Sequence, residues 1–250
     1  MSDVKLIIST DNKPASIDFR AGALLLIDKP KDWTSFDVVN KIRYKIRHRL
    51  ELKKFKVGHA GTLDPMATGL LLVAVGRYTK LIEQLQGLSK TYTTTVKLGA
   101  TTPSYDAEEE VDAHFPTDHI NADLIEAALA EYRGDIMQAP PMFSAVKVNG
   151  TRLYKKARKG VFIEIKKRPV TVHELEMTKY SEPNLELVCN VSKGTYIRSL
   201  AHDIGRSLNS GGHLTALRRD TVDKFDVKNA MSIEQVVEWI EQVDLIIPEH

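Results

Sequence analysis

Cysteine is almost missing from the sequence: Cys189 is the only one, so no disulfide can form within the chain. The opening residues, MSDVKLIIST, contain no basic segment leading into a sustained apolar stretch. The two observations together give the expectation of a protein without a secretory leader that works in a reducing cytoplasm. Long hydrophobic runs are missing as well. The longest, Ala23 to Ile27 and Leu70 to Val75, are strand-sized, far short of the roughly 20 residues that carry a helix across a bilayer. No P-loop, dinucleotide glycine fingerprint or group of His and Cys at metal-ligand spacing occurs. Neither metal nor cofactor is therefore expected, and the candidate chemical groups are a carboxylate, tyrosines and arginines.

What the sequence does have is segregated charge, hidden by a formal net charge of +2. Lys41, Arg43, Lys45, Arg47, Arg49, Lys53, Lys54 and Lys56 crowd one stretch, opposed only by Glu51. A second stretch holds Lys147, Arg152, Lys155, Lys156, Arg158, Lys159, Lys166, Lys167 and Arg168, with Glu164 as its only acid. Between them, Asp106 to Glu126 carries acids and no Lys or Arg. Such separation suits a polyanionic partner, although either stretch alone reads equally well as a solvated face.

Residues 1–20 lack clear periodicity and read as a loosely attached N-terminal arm. From Ala23 a buried strand runs to Lys29-Pro30, where proline interrupts a ladder. Thr34 and Asp37 form a capping box ahead of Val38, Ile42, Ile46 and Leu50, whose spacing of four predicts a helix. Gly58 to Gly69 reads as an irregular loop, Leu70 to Val75 as a strand, and Tyr92, Thr94, Val96 and Leu98 as a half-buried strand. Asn121 caps a helix that Gly134 ends, and Leu185, Leu187 and Cys189 mark another strand. Ile197 to Leu208 predicts a helix stopped by Gly211-Gly212, and Ser232 with Gln235 caps the last one. No repeat or flexible linker divides the chain, so residues 21–250 are expected to form one α+β catalytic domain.

One segment stands out: Gly58-His59-Ala60-Gly61-Thr62-Leu63-Asp64-Pro65-Met66-Ala67-Thr68-Gly69 sets a carboxylate in a glycine-flanked turn close to a histidine. As a local pattern, Asp-Pro is ordinary turn chemistry. The whole string, however, resembles the catalytic motif of the TruB family of pseudouridine synthases. Four more blocks agree in order: GALLLIDKP at Gly22 to Pro30, Lys90-Thr91-Tyr92, SKGTYIR at Ser192 to Arg198, and HLTALRR at His213 to Arg219. Singly, Tyr92 and Leu217 would be core residues, Arg198 a surface residue and His59 a turn residue; the ordered set reverses these readings.

The resemblance implies a pseudouridine synthase fold, a mixed and mainly antiparallel sheet flanked by helices. It also implies a thumb-like RNA-binding insertion at about 140–168. It makes Asp64 the catalytic aspartate, Tyr92 the platform for the target base and Arg198 the partner of Asp64. Tyr196 and Leu217 complete the pocket, His59 helps to open the T loop, and Lys29 joins the substrate-binding residues. Lys147, Arg152, Lys155 and Arg158 would clamp phosphates, and the Lys41 to Lys56 stretch would add a second contact surface. The implied reaction is conversion of a T-loop uridine of tRNA, uridine 55, to pseudouridine by a cytoplasmic monomer with no cofactor and no obligatory protein partner. Two features depart from the family pattern. An aspartate common near Pro103 is missing while Asp106 is kept, and the chain ends at His250 without the small C-terminal PUA domain of many relatives. A guide-RNA-dependent subunit and a non-catalytic tRNA-binding chaperone remain as alternatives.

Overall fold

The computed structural model describes residues 4–144, 146–148, 150–157, 160–161 and 163–246. The chain divides into two units, Met1–Lys90 with Arg218–His250, and Thr91–Leu217. The first begins with β1 (Ile7–Ile8), β2 (Ser16–Ile17), β3 (Ala23–Lys29), α1 (Ser35–Arg49), β4 (Val57–His59) and β5 (Thr68–Val75). A 3₁₀ turn at Gly76–Leu81 and α2 (Ile82–Gln86) follow. β3 runs antiparallel to β5, from Ala23 opposite Val75 to Lys29 opposite Gly69, and β1 adds in parallel to β3.

The unbroken apolar character of β3 and β5 follows from cover on both faces. Leu25, Ile27, Leu71 and Val73 pack with Val38, Ile42 and Ile46 of α1, whereas Leu24, Leu26, Leu70 and Leu72 pack with Leu85 of α2. The Thr34 and Asp37 capping box forms as expected, and Arg47, His48 and Arg49 in the last turn complement the helix dipole. Residues 4–20 are not the loose arm expected: Ile8, Ile17 and Phe19 are buried, and Phe19 meets Trp239 edge-on at 5.9 Å. Strands of two residues are too short to give a period, so packing alone orders them.

The second unit contains β6 (Lys90–Leu98), whose body from Thr91 belongs to it, then β7 (Ala100–Thr101), β8 (Ala113–His114), α3 (Ala122–Ala130) and β9 (Gly134–Gln138). The hairpin β10 (Lys147–Val148) and β11 (Thr151–Arg152) and the short α4 (Leu153–Ala157) come next. β12 (Arg168–Ser181), β13 (Asn184–Val191), α5 (Ile197–Ser207) and the first half of β14 (Gly212–Val222) complete it. Its strands lie in the order β14, β6, β13, β12, β9. β6 alternates buried and more open residues along its length, as the sequence period requires. α3 is capped by Asn121 but ends at Ala130, and Gly134, at φ +82°, opens β9 instead of closing the helix.

From Arg218 the chain returns to the first unit, where β14 pairs in parallel with β5 (Arg218 opposite Thr68, Arg219 opposite Gly69). β15 (Phe225–Asp226), α6 (Ile233–Gln242) and β16 (Asp244–Leu245) follow. Lys45 pairs with Glu241, and Arg49 donates to the carbonyls of Glu241 at 2.8 Å and Val243 at 2.6 Å. This part of the first basic stretch therefore fastens α6 to α1. Among the described residues no helix is long and apolar enough to cross a membrane.

Candidate active site

The Asp64 loop leaves β5's edge at one defined place. The start of that edge is taken by Arg218 and Arg219 of β14 and its end by β4, with Val57 opposite Val75 and His59 opposite Val73. Between these, the Ala60 amide donates to the Leu72 carbonyl at 2.9 Å, and the chain then turns away through Gly61. Gly61 and Gly69 bound the loop at φ +105° and +102°. At Gly69 no side chain fits, since a Cβ would stand 2.3 Å from the Arg219 carbonyl oxygen.

Between the two glycines each turn is fastened. The Ser35 hydroxyl donates to the Leu63 carbonyl at 3.1 Å and accepts from its amide at 2.8 Å. The Pro65 carbonyl accepts from the Asp32 amide at 2.9 Å and from Lys29 Nζ at 3.4 Å, and the Ala67 amide closes the turn onto the Asp64 carbonyl at 3.1 Å. Arg219, 1 % exposed, donates through Nε to Leu70 at 2.7 Å and through Nη2 to Gly61 at 3.2 Å, tying the two ends together. Asp64 itself is half-buried. The backbone around it is thus set before any ligand arrives, as preorganised chemistry requires.

Lys29 supplies the electrostatics of this loop. Its side chain is buried, with Nζ also donating to the carbonyls of Pro30 at 2.9 Å and Trp33 at 2.6 Å. Burial lowers its pKa to about 8, with Asp64 the largest opposing influence. Lys29 is therefore mainly a cation at neutral pH and in turn favours the ionised form of Asp64. His59 is held below the ordinary histidine range, first by burial, against a hydrogen-bonding contribution from the Gly61 backbone. It is accordingly neutral at pH 7.

The second unit builds a separate polar centre around Arg198 in the first turn of α5. Nη1 lies 3.2 Å from Asp106 Oδ2 and donates to the Ser104 carbonyl at 3.2 Å, and Nη2 donates to the Phe143 carbonyl at 2.9 Å. Asp106 is fully buried, and its Oδ1 accepts from the Ser104 hydroxyl at 2.5 Å and the Glu108 amide at 3.0 Å. The helix start is latched by the Gln138 side chain, which accepts from the Tyr196 amide at 2.8 Å and donates to its carbonyl at 3.1 Å. Ser199 adds a bond to Ala139 at 2.8 Å. Tyr92 lies buried on β6, where Thr94 on the same strand bonds Ala216 of β14 at 2.7 Å, next to Leu217.

One turn beyond Arg198, His202 stacks on Tyr105 with ring centroids 3.9 Å apart and 15° between planes. Tyr105 holds a left-handed backbone at φ 64°, a conformation that costs a non-glycine residue energy unless its surroundings enforce it. Burial, aided by Arg206 and opposed by Asp112, brings His202 down to about 4. The native state therefore binds fewer protons than the unfolded chain between about pH 6.5 and about pH 4. Stability contributed here falls as pH drops through that window and levels off below it. Between pH 7 and pH 5 the native protein is expected to lose about 1 kcal/mol more than His202→Phe, after allowance for solvent screening. That is roughly 2–4 °C of Tm for a chain of this size, read by thermal melts at both pH values. Equal losses in the two proteins would assign the pH response to other groups.

The first unit thus brings together Lys29, His59 and Asp64, and the second places Tyr92, Tyr196, Arg198 and Leu217. Lys147 and Arg152 sit opposite each other in the β10–β11 hairpin and Lys155 lies in α4, while Arg158 falls outside the described residues. Sequence reasoning missed Arg219, Ser35 and Gln138. Arg219 lay within the HLTALRR block, and its only signal was an arginine inside a strand-forming run. The aspartate missing near Pro103 leaves no gap around Arg198, because Asp106 and two carbonyls receive it.

The mixed sheet with its helices has the pseudouridine synthase fold. In the "Crystal Structure of a Cbf5-Nop10-Gar1 Complex" a chain matches at TM-score 0.68 and 26% identity, covering 95% of this chain and 59% of that one. Residues 47–197 match the family model described as TruB family pseudouridylate synthase (N terminal domain), and residues 198–245 match the tRNA pseudouridylate synthase B C-terminal domain. The chain belongs to the TruB family of pseudouridylate synthases. Among its relatives, the tRNA pseudouridine synthase B of Flavobacterium johnsoniae is 54% identical over 86% of this chain and 95% of its own length. The protein of the same name from Phocaeicola vulgatus is 49% identical over 92% and 97%.

Proposed function

We propose that the chain converts uridine 55 in the T loop of tRNA to pseudouridine, as a cytoplasmic monomer, with Asp64 as the catalytic carboxylate. The observation that carries this reading is the Asp64 loop, fixed at Gly61, Leu63, Pro65 and Gly69 beside the buried cation Lys29. The reaction is redox-neutral: the bond from N1 to the ribose breaks, a bond from C5 forms, C5 loses a proton and N1 gains one. Asp64 forms a covalent adduct that divides this isomerisation into easier steps.

The target must first leave its stack, at a cost of a few kcal/mol. Stacking on Tyr92 returns about 1–3 kcal/mol of that cost. His59, neutral and on the strand that enters the loop, acts at the opened T loop. Arg198, whose guanidinium is fixed by Asp106, is assigned to hold the Asp64 carboxylate charged. Tyr196 and Leu217 close the pocket, while Lys147, Arg152, Lys155 and Arg158 take phosphates. The tRNA reading is favoured over a guide-RNA-dependent one by relatives that match across nearly their whole length, against 59% for the Cbf5 chain.

Mapping pseudouridine after incubation with unmodified tRNA tests the assignment. Modification at position 55 is the expected result, and an unmodified position 55 would refute it. An isolated T-stem-loop hairpin should show a kcat/KM within about tenfold of full-length tRNA, or ~1.4 kcal/mol of transition-state stabilisation. A hairpin hundreds of times worse would move most recognition beyond the T arm.

A further inference from the structure

Tyr105 stands in a backbone conformation that its residue type rarely adopts. Its φ of 64° lies in the left-handed region, where glycine is free and short Asp or Asn side chains are tolerated but a bulky ring is strained. Asp32, Asn209 and Asp223 are of the tolerated kind, whereas Tyr105 is the only aromatic residue in that region among the described residues. The strain falls at a particular place. Tyr105 separates Ser104, whose carbonyl accepts from Arg198 Nη1 at 3.2 Å, from Asp106, whose Oδ2 lies 3.2 Å from the same nitrogen. A strained residue between two partners of the site's arginine persists only if its surroundings hold it there.

The backbone of Tyr105 is bonded within its own turn and to β14. Its amide donates to the Thr102 carbonyl at 3.2 Å, and its carbonyl accepts from the Leu214 amide at 3.0 Å. What ties the turn to α5 is side chains. Residues four apart share a helix face, so Arg198 and His202 grip the turn from points about 6 Å apart along the axis. Arg198 does so through Ser104 and Asp106, and His202 through the Tyr105 ring, with centroids 3.9 Å apart and planes inclined by 15°. A turn held at one point can swivel about it, and a second point removes that freedom. His202 Nδ1 is buried without a hydrogen-bond partner among the described residues. That ring nitrogen fixes nothing, and the imidazole acts through its face.

We propose that Tyr105 and His202 are positioning residues for the isomerisation: their stack holds the Ser104–Asp106 turn where it receives Arg198, and so sets the direction of the guanidinium. Neither ring has to touch RNA for this. The inference rests on the role assigned above to Arg198. A long arginine side chain has no fixed direction of its own, and its receivers supply one. Misplacing a group at the chemistry by about 1 Å costs on the order of 100-fold in rate. Loosening the stack should therefore slow the chemical step while RNA binding, which depends on other residues, stays in place.

The test compares His202→Ala, His202→Phe and Tyr105→Asn with the native chain, asparagine being chosen because it tolerates the left-handed backbone without supplying a ring. Single-turnover pseudouridine formation at saturating T-stem-loop hairpin reads the chemical step, a binding isotherm reads affinity, and circular dichroism confirms that each variant is folded at the assay temperature. His202→Ala and Tyr105→Asn should slow the chemical step about 10- to 100-fold, with affinity within about twofold of native. His202→Phe keeps a stacking face and should stay within about threefold of the native rate. The double variant should be no slower than the slower single one, because both break one contact. A native rate in folded His202→Ala or Tyr105→Asn would overturn the proposal, and so would a His202→Phe as slow as His202→Ala. Affinity falling in step with rate would also overturn it, making the pair an RNA contact. Should His202→Ala fail to fold, Tyr105→Asn carries the comparison. Arg198→Lys is run alongside: if it is slow while the stack variants are native, the stack alone falls. If Arg198→Lys is itself near native, the role assigned to Arg198 falls and the positioning role falls with it.

Discussion

Asp64→Asn is expected to abolish isomerisation while leaving tRNA affinity within a few-fold of the native value. The substitution removes charge and nucleophilicity but almost no volume, and the loop is set by backbone bonds of Leu63, Pro65 and the Asp64 carbonyl, none of which changes. A fall in turnover of at least about 10⁴, or ~5.4 kcal/mol, follows if a covalent route is lost. Single-turnover mapping of pseudouridine beside a binding isotherm separates the two effects. Multiple turnover by the Asn variant, free of contaminating native enzyme, would remove Asp64 from the mechanism.

Arg198→Lys should be nearly as damaging. The guanidinium reaches a carboxylate and two carbonyls in different directions, at Asp106, Ser104 and Phe143. A lysine is a point charge on a single stem and cannot reproduce that fork. Asp106 is fully buried, and taking away its partner costs about 3–5 kcal/mol in comparable pairs. Activity is expected to fall by orders of magnitude. Arg198→Lys and Asp106→Asn combined should do less harm to stability than the sum of the two alone, because both break one network. Near-native turnover by Arg198→Lys would show that the planar fork is dispensable.

How much of this was legible in the sequence depended on the physical scale of each feature. Capping at Thr34, Asn121 and Ser232 was readable because it is written within four residues, and the structure forms all three. The alternation of β6 and the apolar runs of β3 and β5 were readable for the same reason. Residues 58–69 read as irregular throughout, yet Val57–His59 is a strand, because β5 leaves the end of its edge open there. Nothing local marks such an opportunity. The arm was misread because its order comes from Phe19 meeting Trp239, far along the chain. At the site, the Asp64 motif gave the loop but not what holds it. Ser35, Gln138 and Arg219 bond backbone atoms distant in sequence, and such bonds leave no spacing to detect. The basic stretches showed the opposite failure: Lys45 and Arg49 belonged to a visible cluster, yet they serve the contact between α1 and α6.

The clamp that Arg219 places on Gly61 joins residues 158 positions apart in the chain. On the ribosome the aspartate loop emerges first and its clamp last, after the whole Thr91–Leu217 unit has been made. At about 5–20 residues per second that interval is roughly 8–30 s. A nascent chain therefore carries Asp64 for that time without the bond that Arg219 makes to its loop. The loop takes its full set of contacts only after synthesis has passed Arg219.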